Sequence, residues 1–497
     1  MKFFLKIIAC FYPAIIFSQT SNIEKTKTIS LNQAIEIALD ASLSIHKAQN
    51  SYLSGYWQFR MFKAERLPSL SISATPFSYN QNFVERYDYQ NNVVVYKSQQ
   101  SLYSQTNLSL KQNLDITGGT FYIDTEMGYF RNLGLNTTEQ FSSVPIRIGY
   151  SQNIFGFNSF KWSKRIEPIS YEKVTKEFLY NIEGVAEQTA ELFFELALNK
   201  KNFELAKQNI ENSDTLYKIG LERFKIGTIS QPDLLTLKLQ VINSKNNLGN
   251  VELDLKKSTF LLTSFLRLDK ETQINLSIPK EALNIVLSSE DVIRKAKENN
   301  PIIPQLKEST LKAQQDFDKT KKESRFSATF SASVGFNQVA SNLSDAYHKP
   351  LQQNLVSVGF DVPLLDWGVR KGKIKISREN LNTVKINAVE AEQSFEQDVL
   401  MTLAEFNLQQ TQIKLSEEAR EISEIAYDKA KQLFLVGKSD LNSLNMAYGH
   451  RIEAEQNYLI VLKKYWLSYF KLRKLTLYDF VLNKKISVNE NTVNSFR

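Results

Sequence analysis

The chain resembles itself, and this restricts its fold more than any other feature of its 497 residues. Ile29-Ser-Leu-Asn-Gln-Ala-Ile-Glu-Ile-Ala38 aligns with Leu287-Ser-Ser-Glu-Asp-Val-Ile-Arg-Lys-Ala296 at a shift of 258 residues. The match runs on without a gap through Ile45 and Ile303, Glu65 and Glu323, to Ser69–Ala74 and Ser327–Ala332. A second shift, 210, pairs Ile146-Arg-Ile-Gly-Tyr150 with Val356-Ser-Val-Gly-Phe360 and Phe224-Lys-Ile-Gly227 with Phe434-Leu-Val-Gly437. Two distant matches at one shift identify a duplication. The 48-residue difference between the shifts locates an insertion in the extended region of the first copy.

Each copy has the same order of parts. A helical segment comes first, at about 31–66 and 290–324. In it Ala34, Ile35, Ala38, Leu39 and Leu43 recur at helical spacing behind a capping residue, Ser30. Extended segments follow, and two very long helices close the unit. From about Ser159 to Arg223, Ala186, Phe193, Leu196, Phe203 and Ile210 are spaced by threes, fours and sevens. Leu234, Leu237, Val241, Leu248, Val251, Leu255 and Leu262 do the same after Gly227. In the second copy the corresponding series are Leu415, Ala419, Ile422, Ala426, Ala430, Leu433 and Leu444, Ala447, Ala454, Tyr458, Val461, Tyr465. This spacing predicts coiled-coil packing. Some 65 helical residues extend roughly 97 Å at 1.5 Å per residue, and neighbouring copies are expected to cover the flanks of such rods.

The extended segments alternate. Phe326, Ala328, Phe330, Ala332, Val334 and Phe336 fall on one face, as do Val356, Val358, Phe360 and Val362. Leu108, Leu110, Phe121 and Ile123 flank Thr117-Gly118-Gly119, which reads as a hairpin turn. Alternating strands of about 10 residues suit a membrane β-barrel, in which closure satisfies every backbone group. A soluble sandwich alternates too, so the strands alone leave both open.

The N-terminus argues for export. Lys2 and Lys6 precede an apolar run, Ile7 to Phe17, and Ser18-Gln19 offers a cleavage site. A lipoprotein signal ending at Cys10 is the competing reading. Cleavage near Ser18 removes Cys10, the only cysteine, and with it disulfides, thiolate metal sites and cysteine nucleophiles. No later run of about 18 apolar residues spans a membrane as a helix. The net charge of +8 is small and dispersed, unlike a nucleic-acid-binding face. The 32 Phe and 21 Tyr suit strands carrying aromatic belts.

A duplicated helix–strand–helix unit behind an export signal resembles the TolC-like outer membrane efflux protein family, over about 30–482. The carriers are Leu67-Pro-Ser-Leu70, Val358-Gly-Phe-Asp-Val-Pro-Leu-Leu-Asp-Trp-Gly368, Phe224-Lys-Ile-Gly-Thr228 and Phe434-Leu-Val-Gly-Lys438. The resemblance implies a mainly α protein with membrane β-structure. In it, a trimeric outer-membrane β-barrel is continued by a long α-helical periplasmic tunnel. It also implies that the partners are two further copies, outer-membrane lipid, a periplasmic adaptor (membrane fusion) protein and an inner-membrane pump, with no nucleic acid and no cofactor. By the same resemblance Phe224, Gly227, Phe434 and Gly437 are adaptor-contact residues at helix-hairpin tips, although the two glycines equally suit a plain turn. Some family members ring the periplasmic aperture with acids just past the second tip glycine. Here only Asp440 is acidic there, and Asp233 follows the first tip, so these two are the candidate aperture acids.

The expected organisation is a signal peptide at 1–18, a first repeat at 29–275 with strands at about 69–156, a second repeat at 287–482 with strands at about 326–366, and a tail at 483–497. Within the insertion, Tyr79 to Tyr103 reads as a surface loop and Leu108 to Phe130 as an additional hairpin, leaving four or six strands per protomer. Three isolated histidines, no Cys cluster, no Gly-rich phosphate loop and no nucleophile elbow give an enzyme no support, with neither catalytic nor metal residues to name. The function expected is the exit duct of a tripartite efflux or type I secretion system. An exported coiled-coil scaffold is the alternative. The sequence does not identify the cargo.

Overall fold

A computed structural model describes residues 26–133, 137–269, 273–279 and 285–487. The proposed signal peptide, Cys10 and residues 488–497 of the tail lie outside the described residues. In chain order the elements are β1 (Thr26–Ser30), α1 (Leu31–Ala41), α2 (Leu43–Ala64), β2 (Ser69–Asp88), β3 (Val93–Asn113), β4 (Thr120–Asn132) and β5 (Thr138–Ile154). Then come α3 (Ser159–Lys225), α4 (Gln231–Phe265), β6 (Gln273–Ser277), α5 (Ser289–Asn299), α6 (Ile302–Glu323), β7 (Ser327–Ala340), α7 (Leu343–Tyr347) and β8 (Leu351–Asp361). Finally there are α8 (Val369–Leu435), α9 (Leu441–Thr476), β9 (Tyr478–Asp479) and β10 (Lys484–Lys485).

The duplication is visible in these bounds. Helices α1 and α5 begin at Leu31 and Ser289, separated by the first repeat shift. Helices α3 and α8 are both 67 residues long and begin at Ser159 and Val369, separated by the second. The leading helical segment is not continuous in either copy, contrary to the single helix expected. It breaks at Ser42 and at Asn300, which are buried and extended, with ψ of 147° and 141°. Pro301 disfavours helical backbone at the residue before it. The same break at Ser42, without a proline, shows that packing imposes it too. Leu43, read as part of the apolar face, follows this break and is exposed.

The described residues divide into two compact units that cut across the repeats: 26–43, 186–269, 273–279 and 412–464 form one, and 44–133, 137–185, 285–411 and 465–487 the other. The first unit contains the parallel pair β1–β6 and the facing ends of the long helices. Ion pairs Lys201–Glu455 (2.9 Å) and Lys463–Glu195 (2.7 Å) tie α3 to α9 there. On α8 the expected seam is displaced. Leu415, Ala419, Ile422, Ala426 and Leu433 are exposed, while Ile413, Ser416, Ser423, Tyr427 and Phe434 are buried. Small serines permit close helix approach, and their hydroxyls are satisfied by bonds back to the Ile413 (2.9 Å) and Arg420 (2.8 Å) carbonyls. The richer apolar stripe is left on the outside of a single chain.

The second unit carries a six-stranded antiparallel sheet in the order β2-β3-β4-β5-β7-β8. Register aligns Leu70, Leu110, Ile123, Ile148 and Val334 across five strands, with Phe121, Tyr150, Ala332 and Val356 as a second row on that face. The opposite face has a row running through Ser71, Ser109, Asp124, Arg147, Gly335 and Gln353. On it the Arg147 guanidinium grips Asp124 at 3.0 and 2.7 Å. One face is thus predominantly apolar and the other polar. Among the described residues no helix is long and apolar enough to cross a membrane.

By the repeat shifts, β2 corresponds to β7 and β5 to β8. The β3–β4 hairpin, turning at Leu114–Gly119, has no counterpart and is the insertion. The surface loop expected at Tyr79–Tyr103 is instead the far half of β2, a turn, and the start of β3. Asp88 accepts from the Gln90 N–H (3.1 Å) and the Asn91 amide (3.0 Å), and Asn92 takes a left-handed φ of 54°. These Asp and Asn residues are turn formers, and the β-branched run Val93-Val94-Val95 lies in strand rather than loop. Rungs Gln81–Gln100 to Asp88–Val93 extend beyond the end of β4, an overhang of about 27 Å at 3.4 Å per residue.

Candidate functional site

The tips of the two long helical hairpins lie within the first unit and are built alike. At the first, α3 ends in a pair of crossed bonds, Thr228 N–H to Arg223 carbonyl (2.9 Å) and Gly227 N–H to Phe224 carbonyl (3.0 Å). At the second, Lys438 N–H meets the Leu433 carbonyl (2.9 Å) and Gly437 N–H the Phe434 carbonyl (3.0 Å). This pattern satisfies the last carbonyls of a helix and requires a left-handed residue after it. Gly227 and Gly437 supply it, with φ of +74° and +77°. A Cβ added at either would meet nothing within 4 Å, so the turn alone accounts for both glycines in one copy of the chain.

The two acids also have local roles. Ser230 caps α4 in a reciprocal box: the Asp233 N–H donates to Ser230 Oγ (3.3 Å), and the Ser230 N–H and Oγ donate to Asp233 Oδ2 (3.2 and 2.6 Å). Asp440 sits at the position matching Ser230 and accepts directly from the Ser443 N–H at 2.8 Å. Hydrogen bonds from Ser230 and from Ser443 hold the Asp233 and Asp440 carboxyls below the ordinary range, and both are exposed. Negative charge at a helix N-terminus is favourable in itself.

The two phenylalanines part company. Phe224 is 41% exposed, whereas Phe434 is 6% exposed and packs with Tyr427, Leu444, Leu216 and Tyr448. Arg223 lies over the Phe434 ring at 4.8 Å and donates to the Phe434 carbonyl at 3.0 Å. Asn212 donates to the Tyr427 hydroxyl (3.1 Å), and Gln240 to Asn445 (3.2 Å). These contacts join the two hairpins around a cavity of about 120 Å³. The buried Tyr448 hydroxyl has no hydrogen-bond partner, and burial pushes its pKa up to about 12. Arg451, ion-paired with Glu424, covers the outer side of Tyr427 at 4.9 Å. The exposed apolar surface of the tips is then Phe224, Ile226, Leu435 and Val436.

Sequence reasoning misses Arg223, Tyr427, Tyr448 and Arg451. One of these is within its reach: Tyr217 and Tyr427 occupy matching positions, each in the last turns before a tip glycine. Among the described residues no three His, Cys, Asp or Glu side chains gather to hold a metal.

A sheet with one polar and one apolar face, in a chain that also builds two long helical hairpins, is the architecture of outer-membrane channels. Residues 292–476 match the family model described as outer membrane efflux protein. The fold is similar to that of the CmeC outer membrane channel of Campylobacter jejuni (14% identity, TM-score 0.64, covering 99% of this chain and 97% of that one). It is also similar to a membrane protein from Pseudomonas aeruginosa (13%, 0.64, 90% of each). A third similar structure is the open-state MtrE outer membrane channel of Neisseria gonorrhoeae (14%, 0.58, 90% and 88%). No curated protein sequence matches. The chain therefore shares the fold of these outer-membrane channels over nearly its whole length. The family whose model matches and these structural neighbours are outer-membrane proteins. The matched stretch lies within the second copy, which begins at about residue 287.

Proposed function

We propose that three copies of this chain form the exit duct of a tripartite system, receiving cargo from an inner-membrane pump through a periplasmic adaptor. The observation that carries the reading is the sheet, whose apolar face meets lipid and whose polar face lines water. The segment from Met1 to Ser18 acts as the export signal. The adaptor meets the hairpin tips through Phe224, Ile226 and Val436 around Gly227 and Gly437, with Phe434 supporting that surface from beneath. Asp233 and Asp440 add negative charge beside the periplasmic aperture. Small-molecule efflux and type I polypeptide secretion both use such a duct.

Single-channel recording of the detergent-purified protein, with its mass in the same detergent, tests the reading. Discrete conductance steps from a trimer are expected. A water-soluble monomer without conductance would leave an exported helical scaffold as the better account.

A further inference from the structure

The six-stranded sheet ends in two bare edges, β2 and β8. Both carry the apolar face to the rim: Leu70 and Ile72 on β2, and Val356, Val358 and Phe360 on β8, are exposed. In hydrocarbon an unpaired strand edge leaves N–H and C=O groups unsatisfied at several kcal/mol each. Closing six strands on themselves does not solve this, because eight already give a barrel just filled by its side chains. The edges therefore need other strands, and a second copy offers a β2 edge that continues the apolar band of β8.

The repeat says what this closure does to the pore. Each copy of the duplicated unit brings one first and one last strand, which alone would make a four-stranded contribution. The inserted β3–β4 hairpin raises it to six. It is no passive spacer, since β4 supplies Asp124 and Glu126, which pair with Arg147 of β5 on the polar face. We infer that β8 of each copy pairs with β2 of the next, and that the insertion enlarges the barrel from 12 strands to 18, giving an exit wide enough for polypeptide cargo thicker than a single helix. This rests on the trimeric duct proposed above. With strands about 4.8 Å apart and tilted about 40°, 18 strands give a wall-to-wall diameter of about 36 Å, and 12 give about 24 Å. Allowing about 5 Å for side chains on each side, the lumen is about 26 Å against about 14 Å. A helix with its side chains is about 10–12 Å across, so the wider barrel passes a helical hairpin and the narrower one only a single helix.

Two measurements test this. The first removes Tyr89–Asn136, the stretch by which the two repeat shifts differ, joining Asp88 to Thr137. Polyethylene glycols of graded size are added to the barrel side of a planar bilayer. Intact channels are expected to admit polymers up to a hydrodynamic diameter of about 20 Å, and the shortened ones to exclude them above about 12 Å. An unchanged cut-off in a conducting, shortened trimer would overturn the inference. The second keeps every strand and exploits a mature chain without cysteine. Ile72→Cys is combined in turn with Val356→Cys, Val358→Cys and Phe360→Cys, because facing Cα atoms about 4.5–5.5 Å apart across an antiparallel ladder lie within disulfide range. Oxidation should yield covalent trimers for at least one pair and none for the single variants. Monomer bands from every pair in a conducting trimer would overturn the proposed seam while leaving the duct itself standing. If the shortened chain fails to assemble, the cross-links decide. Absence of any trimer or conductance in the unaltered protein would instead remove the reading on which the inference rests.

Discussion

The two hairpin tips share a backbone and divide its tasks differently. Both end in the same crossed bonds around a glycine, at φ of +74° in one and +77° in the other. Yet the phenylalanine just ahead of that glycine is exposed in the first tip and buried in the second. The capping acid stands inside the first turn in one, as Asp233 behind Ser230, and at the cap itself in the other, as Asp440. Duplication preserved what the main chain demands and released the side chains to specialise. At the second tip the phenylalanine is packed inward against the first hairpin, and at the first tip it faces outward.

The sharpest way to break this comparison is to truncate both phenylalanines. Phe434→Ala empties a buried site and should cost about 3–5 kcal/mol, read as faster hydrogen exchange across the second tip and in residues near Leu216 and Tyr448. Phe224→Ala should change stability by no more than about 0.5 kcal/mol, as exposed substitutions do, while weakening adaptor binding. Equal losses at the two positions would mean that the tips are interchangeable after all.

A smaller effect is expected at Arg223, whose counterpart in the second copy is Leu433. Arg223→Leu removes both the ring contact and the bond to the Phe434 carbonyl, an expected loss of about 1–2 kcal/mol. In a double-mutant cycle with Phe434→Ala the two losses should be less than additive. Full additivity would show that Arg223 does not act through that ring. The glycines rank next. Gly227→Ala and Gly437→Ala should each cost about 1 kcal/mol from left-handed backbone strain, and by equal amounts, since neither added Cβ meets a neighbour. If one of them abolishes adaptor binding out of proportion to its stability loss, that glycine lies under the partner as well as in the turn.

The shared part of the tips is legible in the sequence, and the specialised part is not. Gly227 and Gly437 announce themselves because a main-chain requirement tolerates little else at that position. Phe224 and Phe434 align equally well, and nothing in the alignment distinguishes a buried ring from an exposed one. The α8 seam is misread for a related reason. Its buried positions include Gln409, Ser416 and Ser423, whereas the more apolar Leu415 and Ile422 face outward in a single chain, so hydrophobicity points to a different interface. In the sheet, the Asn- and Gln-rich stretch around Gln81 and Gln99 has little buried surface on either face. Strand alternation, which depends on one buried face, is correspondingly faint there.

The acids give the finest distinction. Asp233 and Asp440 both have lowered folded-state pKa values. Their capping contribution is therefore fully present above the unfolded carboxyl value near about 3.9 and is lost as pH falls through the folded values. Exchange at both tips, corrected for intrinsic rates, should accelerate below about pH 4. Asparagine caps a helix about as well as aspartate but does not titrate. Asp440→Asn should then keep the second tip ordered and abolish its acid sensitivity while removing one charge per copy. That separation makes the substitution a clean probe of the aperture. If Asp440 helps to bind divalent cations there, block of the Asp440→Asn channel should weaken several-fold with the tip intact. Asp233→Asn should do less, because its carboxylate is already engaged by both the N–H and the hydroxyl of Ser230. Unchanged block in both variants would assign the two acids to helix capping alone, and the difference between the tips would then lie entirely in their aromatic packing.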